Sequence, residues 1–262
     1  MSVIAAIASH LHGQHAAACR RRHAATTWTH TGTHYLSSDG AAGSYADAAT
    51  SAAARVCFGG TGAPTFTLAM FARVTTGGFI FDVSDDGTPR AKISLFTDPD
   101  PASVETTVTL LNAAGSDAEV VPYMDLATTW HAVALVCNGV NALLYEAGVE
   151  QLNDPDGISL PATPFATVDA FTLFADYAHG NLLAGHLRSV ALWDRALSAA
   201  EVAALNTAGA GHDLRDNVGA YTGGGPVHWW PADGDSGTTV TDRGSVGTCN
   251  LALHGGVTIE VA

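Results

Sequence analysis

Carboxylates are the first place to look for chemistry in this sequence, because a pair of them can hydrolyse a glycosidic bond. One acts as nucleophile and the other as acid and base, at a separation of about 5–5.5 Å in retaining enzymes. A strand supplies such a pair when Glu and Asp lie two residues apart, since alternate side chains share one face of a sheet. No Glu in this chain is followed two residues later by Asp. We therefore predict no catalytic residues and expect a protein that is not an enzyme.

Acidic turns are the second candidate, because calcium takes about six to eight oxygen ligands and short Asp side chains can supply them. This hypothesis makes calcium the only expected cofactor. Asp, Pro and Gly also build turns for conformational reasons alone, so turns without metal are the alternative and the favoured one. The candidate calcium ligands are Asp82, Asp85, Asp98, Asp100, Asp154 and Asp156.

A tryptophan pair is the third candidate. Trp229 and Trp230 are adjacent, so in a strand their side chains point to opposite faces. We predict that one packs in the core while the other is partly exposed. An exposed indole can stack on a sugar ring or anchor an interface, which makes the pair a candidate glycan-binding or interface site.

The elements that must position these groups are mostly strands. Residues 65–74 alternate with period two, and Asp86-Gly87 and Asn138-Gly139 mark turns between such segments. Strands recurring at short intervals with turns between them indicate a β-sandwich. One helix is predicted from Ser198 to Thr207, because Ser198 and Glu201 have the spacing of a capping box.

Two segments resemble a known family. Residues 185–205 resemble the last strand and closing helix of laminin-G-like, concanavalin A-like jelly-roll domains, and residues 130–148 resemble the hairpin and return strand of that family. The resemblance implies an all-β jelly-roll β-sandwich with one short helix, in which Trp130 and Trp193 pack in the core. The fold hosts lectins, adhesion modules, glycanases and virion proteins, so it leaves the ligand open. The matching residues of the first segment are Gly185, Leu187, Val190, Leu192, Trp193, Arg195, Ala196, Leu197, Ser198, Glu201 and Leu205.

The domain boundaries follow from the two ends of the chain. Residues 228–244 resemble the segment with which many laminin-G-like domains begin, but here it lies near the end of the sequence. Either the domain is circularly permuted or this segment completes a neighbouring copy. We favour permutation. We predict one sandwich over residues 31–262. Residues 1–30 are predicted to form an Ala-rich helical arm that docks on a particle or on a second copy through Arg20, Arg21 and Arg22, with a frayed tail as the alternative.

Composition limits the partners. The net charge of −14 argues against nucleic acid, no segment is long enough to span a membrane, and the apolar start resembles a secretory signal peptide poorly. The four cysteines form no C-x-x-C pair. Buried free thiols are favoured for Cys57 and Cys137, and disulfides, which need oxidising surroundings, stay open.

These observations predict a non-enzymatic bacteriophage virion protein, a capsid decoration or a tail or fibre component. It would be assembled in the host cytoplasm, and its partners would be other virion proteins, copies of itself and host-surface glycans. The alternative is a bacterial cell-surface or extracellular carbohydrate-binding or adhesion protein. A divergent glycanase is the third hypothesis.

Overall fold

The structure is a computed structural model. It describes residues 30–48, 50–51, 54, 65–85, 92–97, 106–111, 117–120, 126, 129–151, 158–160, 168–216 and 223–262. The predicted arm and its three arginines lie outside these residues, except for His30. No helix within the described ranges is long and apolar enough to cross a membrane.

Seventeen strands and one long helix are present in the described residues, which confirms the prediction of an all-β protein with one helix near residue 200. The strands are β1 (His34–Asp39), β2 (Tyr45–Ala48), β3 (Thr65–Thr76), β4 (Gly78–Ser84), β5 (Lys92–Thr97), β6 (Thr106–Leu111), β7 (Asp117–Val120), β8 (His131–Asn138), β9 (Asn141–Glu146), β10 (Val149–Glu150), β11 (Ile158–Ser159), β12 (Ala170–Leu173), β13 (Ala184–Trp193), β14 (His228–Trp230), β15 (Thr239–Val240), β16 (Leu251–His254) and β17 (Thr258–Val261), and the helix is α1 (Ala199–Ala208).

Two antiparallel sheets pack face to face as a sandwich. The first sheet runs in the order β10-β9-β8-β3-β13-β1-β17, with β11 paired to β9 and β14 paired to β13. The second runs β15-β16-β2-β12-β4-β5-β6-β7. Side chains alternate between the faces of a strand, and the inward ones form the core between the sheets, including Leu36, Phe81 and Trp230.

The C-terminal strands complete both sheets within the same chain. β17 pairs with β1 over Thr258–Val261, β16 pairs with β2, and β14 pairs with β13. The strands of the segment 228–244 thus pair within their own sandwich, β14 with β13 and β15 with β16.

The helix α1 packs on the outer face of the first sheet. Ser198 and Glu201 form the predicted capping box, and Gly209 follows the last turn. Val202 and Leu205 are buried in a second apolar cluster that also contains Trp193 and Trp229. One end of this outer face is therefore covered by the helix.

A β-bulge at Ser189 divides strand β13. Arg188 is paired with Phe71 of β3, whereas Ala191 is paired with Ala69, so β13 holds one extra residue. Leu187 and Val190 both enter the core although they are three residues apart. The bulge thus switches which residues face outward, a switch that strict alternation would not predict.

Ser189 has a backbone φ of 52° and its Oγ accepts a hydrogen bond from Trp229 Nε1 at 2.9 Å. We expect Ser189→Ala to lower the free energy of unfolding by about 1–3 kcal/mol, because a buried indole N–H loses its acceptor. Ser189→Gly loses the same hydroxyl but tolerates the positive φ, so chemical denaturation should find it more stable than Ser189→Ala. Equal stabilities would show that the bulge is not strained.

The described cysteines differ in state. Cys137 is a buried free thiol, as predicted, and burial raises its pKa. Cys249 is disulfide-bonded, and Cys57 lies outside the described residues. A disulfide is typical of proteins that work in oxidising surroundings.

Candidate functional site

Five polar and aromatic side chains gather on the half of the first sheet's outer face that lies away from the helix. We name this set the outer-face patch: Tyr35, Arg73, Trp130, His186 and Arg188. All five are partly exposed. They come from β1, β3, the residue before β8, and β13, so central strands of the sheet carry the site.

Strand alternation places these side chains on the outer face. Leu36, Ala72 and Leu187 belong to the core between the sheets, and each is the chain neighbour of a patch residue. Successive side chains in a strand point to opposite faces, so the patch residues point away from the core. His186 is paired across the strands with Arg73.

The aromatic rings contact one another edge to face. The Tyr35 ring centroid lies 5.6 Å from that of Trp130 and 5.1 Å from that of His186. The guanidinium of Arg188 lies 4.4 Å from the Trp130 centroid, and that of Arg73 lies 5.3 Å from it. At these distances both cations are attracted to the electron-rich indole.

Burial shapes the electrostatics of the patch. It lowers the pKa of His186, and the charge of Arg73 lowers it further, which favours the neutral imidazole. Burial also lowers the pKa of Arg188. The charges of Tyr35 and Asp233 oppose this change, and the charge of Arg73 adds to it. Two cationic groups are thus held close together in partly desolvated positions.

Glu260 borders the patch on the outermost strand, β17. Its Oε2 accepts a hydrogen bond from the Tyr35 hydroxyl at 2.8 Å. This bond raises the pKa of Tyr35 and lowers that of Glu260. The carboxylate is therefore engaged by the tyrosine at the edge of the sheet, and the arginines lie on strands further in.

The tryptophan pair lies elsewhere and is buried. Trp229 is 0% exposed and Trp230 is 1% exposed, so the prediction that one of them is partly exposed is wrong. Their opposite orientations are confirmed, because Trp230 enters the core and Trp229 packs in the cluster beneath α1. The helix buries the outward indole, and neither ring is available for stacking on a sugar.

The prediction for Trp130 is also wrong, because this residue is partly exposed on the outer face and does not pack in the core. Trp193 is 1% exposed and buried as predicted, but it lies beneath α1 and not between the sheets. The hairpin resemblance correctly located β8, β9 and the turn between them at Asn138-Gly139, but not the face to which Trp130 points.

The predicted calcium ligands are not brought together in the described residues. Asp82 lies inside β4, which runs to Ser84, and is 0% exposed; its prediction as a turn residue is wrong. Asp85 follows that strand and is 3% exposed. Asp98, Asp100, Asp154 and Asp156 lie outside the described residues, and for them calcium stays a prediction. Within the described part of the chain, no group of three or more His, Cys, Asp or Glu side chains could hold a metal ion.

The sequence contained one signal for the outer-face patch. His186 and Arg188 alternate with Gly185 and Leu187, which marks them as outward-facing residues of one strand. The other patch residues lie about 150, 110 and 60 positions upstream, and only the strand order brings them together.

Residues 32–203 match the Concanavalin A-like lectin/glucanases superfamily. This match covers more than half of the chain, and the chain therefore belongs to that superfamily. It includes all five patch residues and stops before the C-terminal strands that close the sheets. No curated protein matches the sequence significantly.

Solved structures are similar to this chain at low sequence identity. A Bacteroides ovatus protein inferred to bind carbohydrate has a TM-score of 0.55 at 14% identity, over 87% of this chain and 60% of its own. The chain thus spans less than two thirds of that protein. A heptameric SAP-like pentraxin from Limulus polyphemus has a TM-score of 0.48 at 13% identity, over 68% of this chain and 83% of its own. Trypanosoma rangeli sialidase has a TM-score of 0.43 at 15% identity, over 55% of this chain and 23% of its own.

Proposed function

We propose that this domain is a non-enzymatic carbohydrate-binding module and that the outer-face patch is its sugar-contact surface. The observation that carries the proposal is the patch itself. Partly exposed Trp130 and Tyr35 lie beside two guanidinium groups on a sheet of a lectin-type sandwich. Aromatic rings offer apolar surface to the C–H groups of a sugar, and adjacent N–H donors bind its oxygens.

Support also comes from the fold. The Bacteroides ovatus protein, which is inferred to bind carbohydrate, has the same architecture. The described carboxylates are scattered or engaged in structural contacts, such as the bond from Tyr35 to Glu260. This is why recognition, and not hydrolysis, is proposed.

A glycan array tests the proposal with the full chain, the Trp130→Ala variant and the Tyr177→Ala variant. Tyr177 is a 39% exposed aromatic residue outside the patch, so its replacement is the matched control. We expect Trp130→Ala to weaken binding roughly two- to twelvefold, because an aromatic contact is worth about 0.5–1.5 kcal/mol, whereas Tyr177→Ala should bind like the unchanged protein. Chromatography of the bound glycans after prolonged incubation should find no cleavage products. Equal losses in both variants, or cleaved products, would contradict the proposal.

The proposed setting is the surface of a bacteriophage particle, with the bacterial cell surface as the second candidate. The disulfide at Cys249 favours a domain that is exposed to oxidising surroundings, which both settings offer. Self-association and attachment to other virion proteins belong to the first proposal. Co-purification with particles, against recovery in the cell-envelope fraction, distinguishes the two.

A further inference from the structure

We infer that the outer-face patch binds the carboxylate of an acidic saccharide, with Arg188 as the main contact and Arg73 as the second. This inference rests on the proposed carbohydrate-binding function. It adds the chemical class of the ligand, a uronic-acid-type sugar.

The first argument is how the arginines are partnered. The described residues contain five arginines, and three of them form ion pairs with carboxylates. Arg73 and Arg188 are the two in the described ranges that do not, and both are in the patch. The three ion pairs are Arg195–Glu201 at 2.8 Å, Arg215–Asp213, and Arg243–Asp235 at 2.9 Å.

The second argument is how Arg188 is held. Its guanidinium lies 4.4 Å from the Trp130 centroid and 5.7 Å from the Tyr35 centroid. Contacts with aromatic rings orient the planar cation but accept none of its hydrogen bonds, and its Nε is buried without a hydrogen-bond partner. The planar fork of Arg matches the two oxygens of a carboxylate, so such a group would use the donors that the rings leave unused.

The third argument is local charge. Arg73 and Arg188 lie 5.3 Å and 4.4 Å from the Trp130 ring centroid, and like charges at close range repel. The lowered pKa of Arg188 has this repulsion as one cause, after burial. His186 lies opposite Arg73 on the neighbouring strand, and its buried Nδ1 has no hydrogen-bond partner. An anion bound here would offset the repulsion between the two guanidinium groups.

The fourth argument decides between a single carboxylate and a dense polyanion. The chain carries a net charge of −14, so a polymer with many charges would be repelled by the surface around the patch. One carboxylate per sugar, flanked by neutral hydroxyl groups, places its charge only where the two arginines are. Salt should therefore change the affinity modestly, because few charges are neutralised.

The direct test follows the Arg side-chain Nε–H resonances of the folded full chain by NMR, during titration with sodium glucuronate, methyl glucoside or glucose 6-sulfate. We expect glucuronate to shift the Arg188 resonance and methyl glucoside to leave it in place. Arg195, which is paired with Glu201, is the internal control and should not move. A larger response to glucose 6-sulfate than to glucuronate would overturn the assignment of a carboxylate ligand and indicate a sulfate group. An Arg188 resonance that ignores glucuronate, or responds equally to methyl glucoside, overturns the inference.

The variant test compares Arg188→Gln, Arg188→Lys and Lys92→Gln on acidic oligosaccharides and on their carboxyl-reduced counterparts. Lys92 lies on β5 of the other sheet, so its replacement removes the same charge away from the patch. We expect Arg188→Gln to weaken binding of the acidic forms at least about tenfold, the change that corresponds to about 1.4 kcal/mol. Arg188→Lys should recover part of this loss, and Lys92→Gln should have no effect. Circular dichroism and melting curves confirm that each variant is folded.

The outcomes separate the two proposals. Reduced and acidic forms bound equally well, with no loss in Arg188→Gln, would leave carbohydrate binding standing and overturn the acidic ligand. No binding of any oligosaccharide, together with an Arg188 resonance that glucuronate still shifts, would overturn the carbohydrate function and leave a simple anion site. Selective binding of the acidic forms that is lost in Arg188→Gln supports both.

Discussion

Replacing Asp242 with alanine should lower the free energy of unfolding by about 3–5 kcal/mol, because the substitution leaves buried hydrogen-bond donors without their shared acceptor. The side chain of Asp242 is 0% exposed. Its Oδ2 lies 2.6 Å from His228 Nδ1, and its two oxygens accept hydrogen bonds from the backbone N–H groups of Trp229, Gly244 and Cys249 at 3.0, 2.9 and 3.1 Å. A single carboxylate thus joins β14 to the loop that follows β15.

The pKa of Asp242 is consistent with this role. Burial alone would raise it, but the hydrogen bonds from His228, Trp229 and Gly244 outweigh burial and lower it. A carboxyl group whose pKa is lower in the folded state stabilises the fold above its ordinary pKa. That contribution is lost as the pH falls through the folded value.

Two further variants serve as comparisons for Asp242→Ala. Asp242→Asn keeps the size and one acceptor oxygen, so its loss should be smaller than that of Asp242→Ala. Asp194→Ala removes an exposed carboxylate and should change the free energy of unfolding by less than about 0.5 kcal/mol. Urea denaturation measures all three variants. A loss below about 1 kcal/mol in Asp242→Ala would mean that the loop rearranges to satisfy the freed donors.

Local signals in the sequence predicted the local structure well. Residues 65–74 alternate with period two, and β3 spans Thr65–Thr76. The spacing of Ser198 and Glu201 predicted a helix that the structure places at Ala199–Ala208. Turns, helix caps and period-two alternation depend on residues that are close together in the chain, so they can be predicted from a single sequence.

The candidate site depended on information that is not local. The patch joins residues from four distant parts of the chain, and only the order β8-β3-β13-β1 makes them neighbours. The bulge at Ser189 changes which residues of β13 face outward, and α1 covers the face to which Trp229 points. A tryptophan in or beside a strand can therefore lie in the core, in the outer-face patch or beneath α1. The sequence around Trp130 and Trp229 does not distinguish these positions.

Replacing Glu201 with glutamine should lower the free energy of unfolding by about 3 kcal/mol at pH 7, since Glu201 organises both the start of α1 and the turn before it. Arg195 Nη2 donates to Glu201 Oε1 at 2.8 Å, and Nη1 donates to Oε2 at 3.2 Å. The backbone N–H of Ser198 donates to Oε2 at 2.9 Å. The hydrogen bonds from Arg195, opposed by burial and supported by those from Ser198, lower the pKa of Glu201 to about 2.

The lowered pKa of Glu201 determines both the size and the pH dependence of the stability loss in Glu201→Gln. One pKa unit corresponds to about 1.4 kcal/mol, so the lowering from 4.5 to about 2 corresponds to about 3 kcal/mol. Because the folded pKa is the lower one, this stabilisation is fully present above pH 4.5 and is lost as the pH falls towards 2. The difference between the unchanged protein and Glu201→Gln should therefore be largest near neutral pH and shrink steadily below pH 4.5.

Urea denaturation of both proteins at a series of pH values measures this difference. Asp194→Asn is the matched control, because Asp194 is an exposed carboxylate one residue before Arg195 and should give a small difference at every pH. Ser198→Ala removes the N-cap and should cost only about 1 kcal/mol, less than Glu201→Gln, because the pair with Arg195 stays. A difference for Glu201→Gln that does not change between pH 7 and pH 3 would show that the side chain stabilises α1 by its shape and not by its charge.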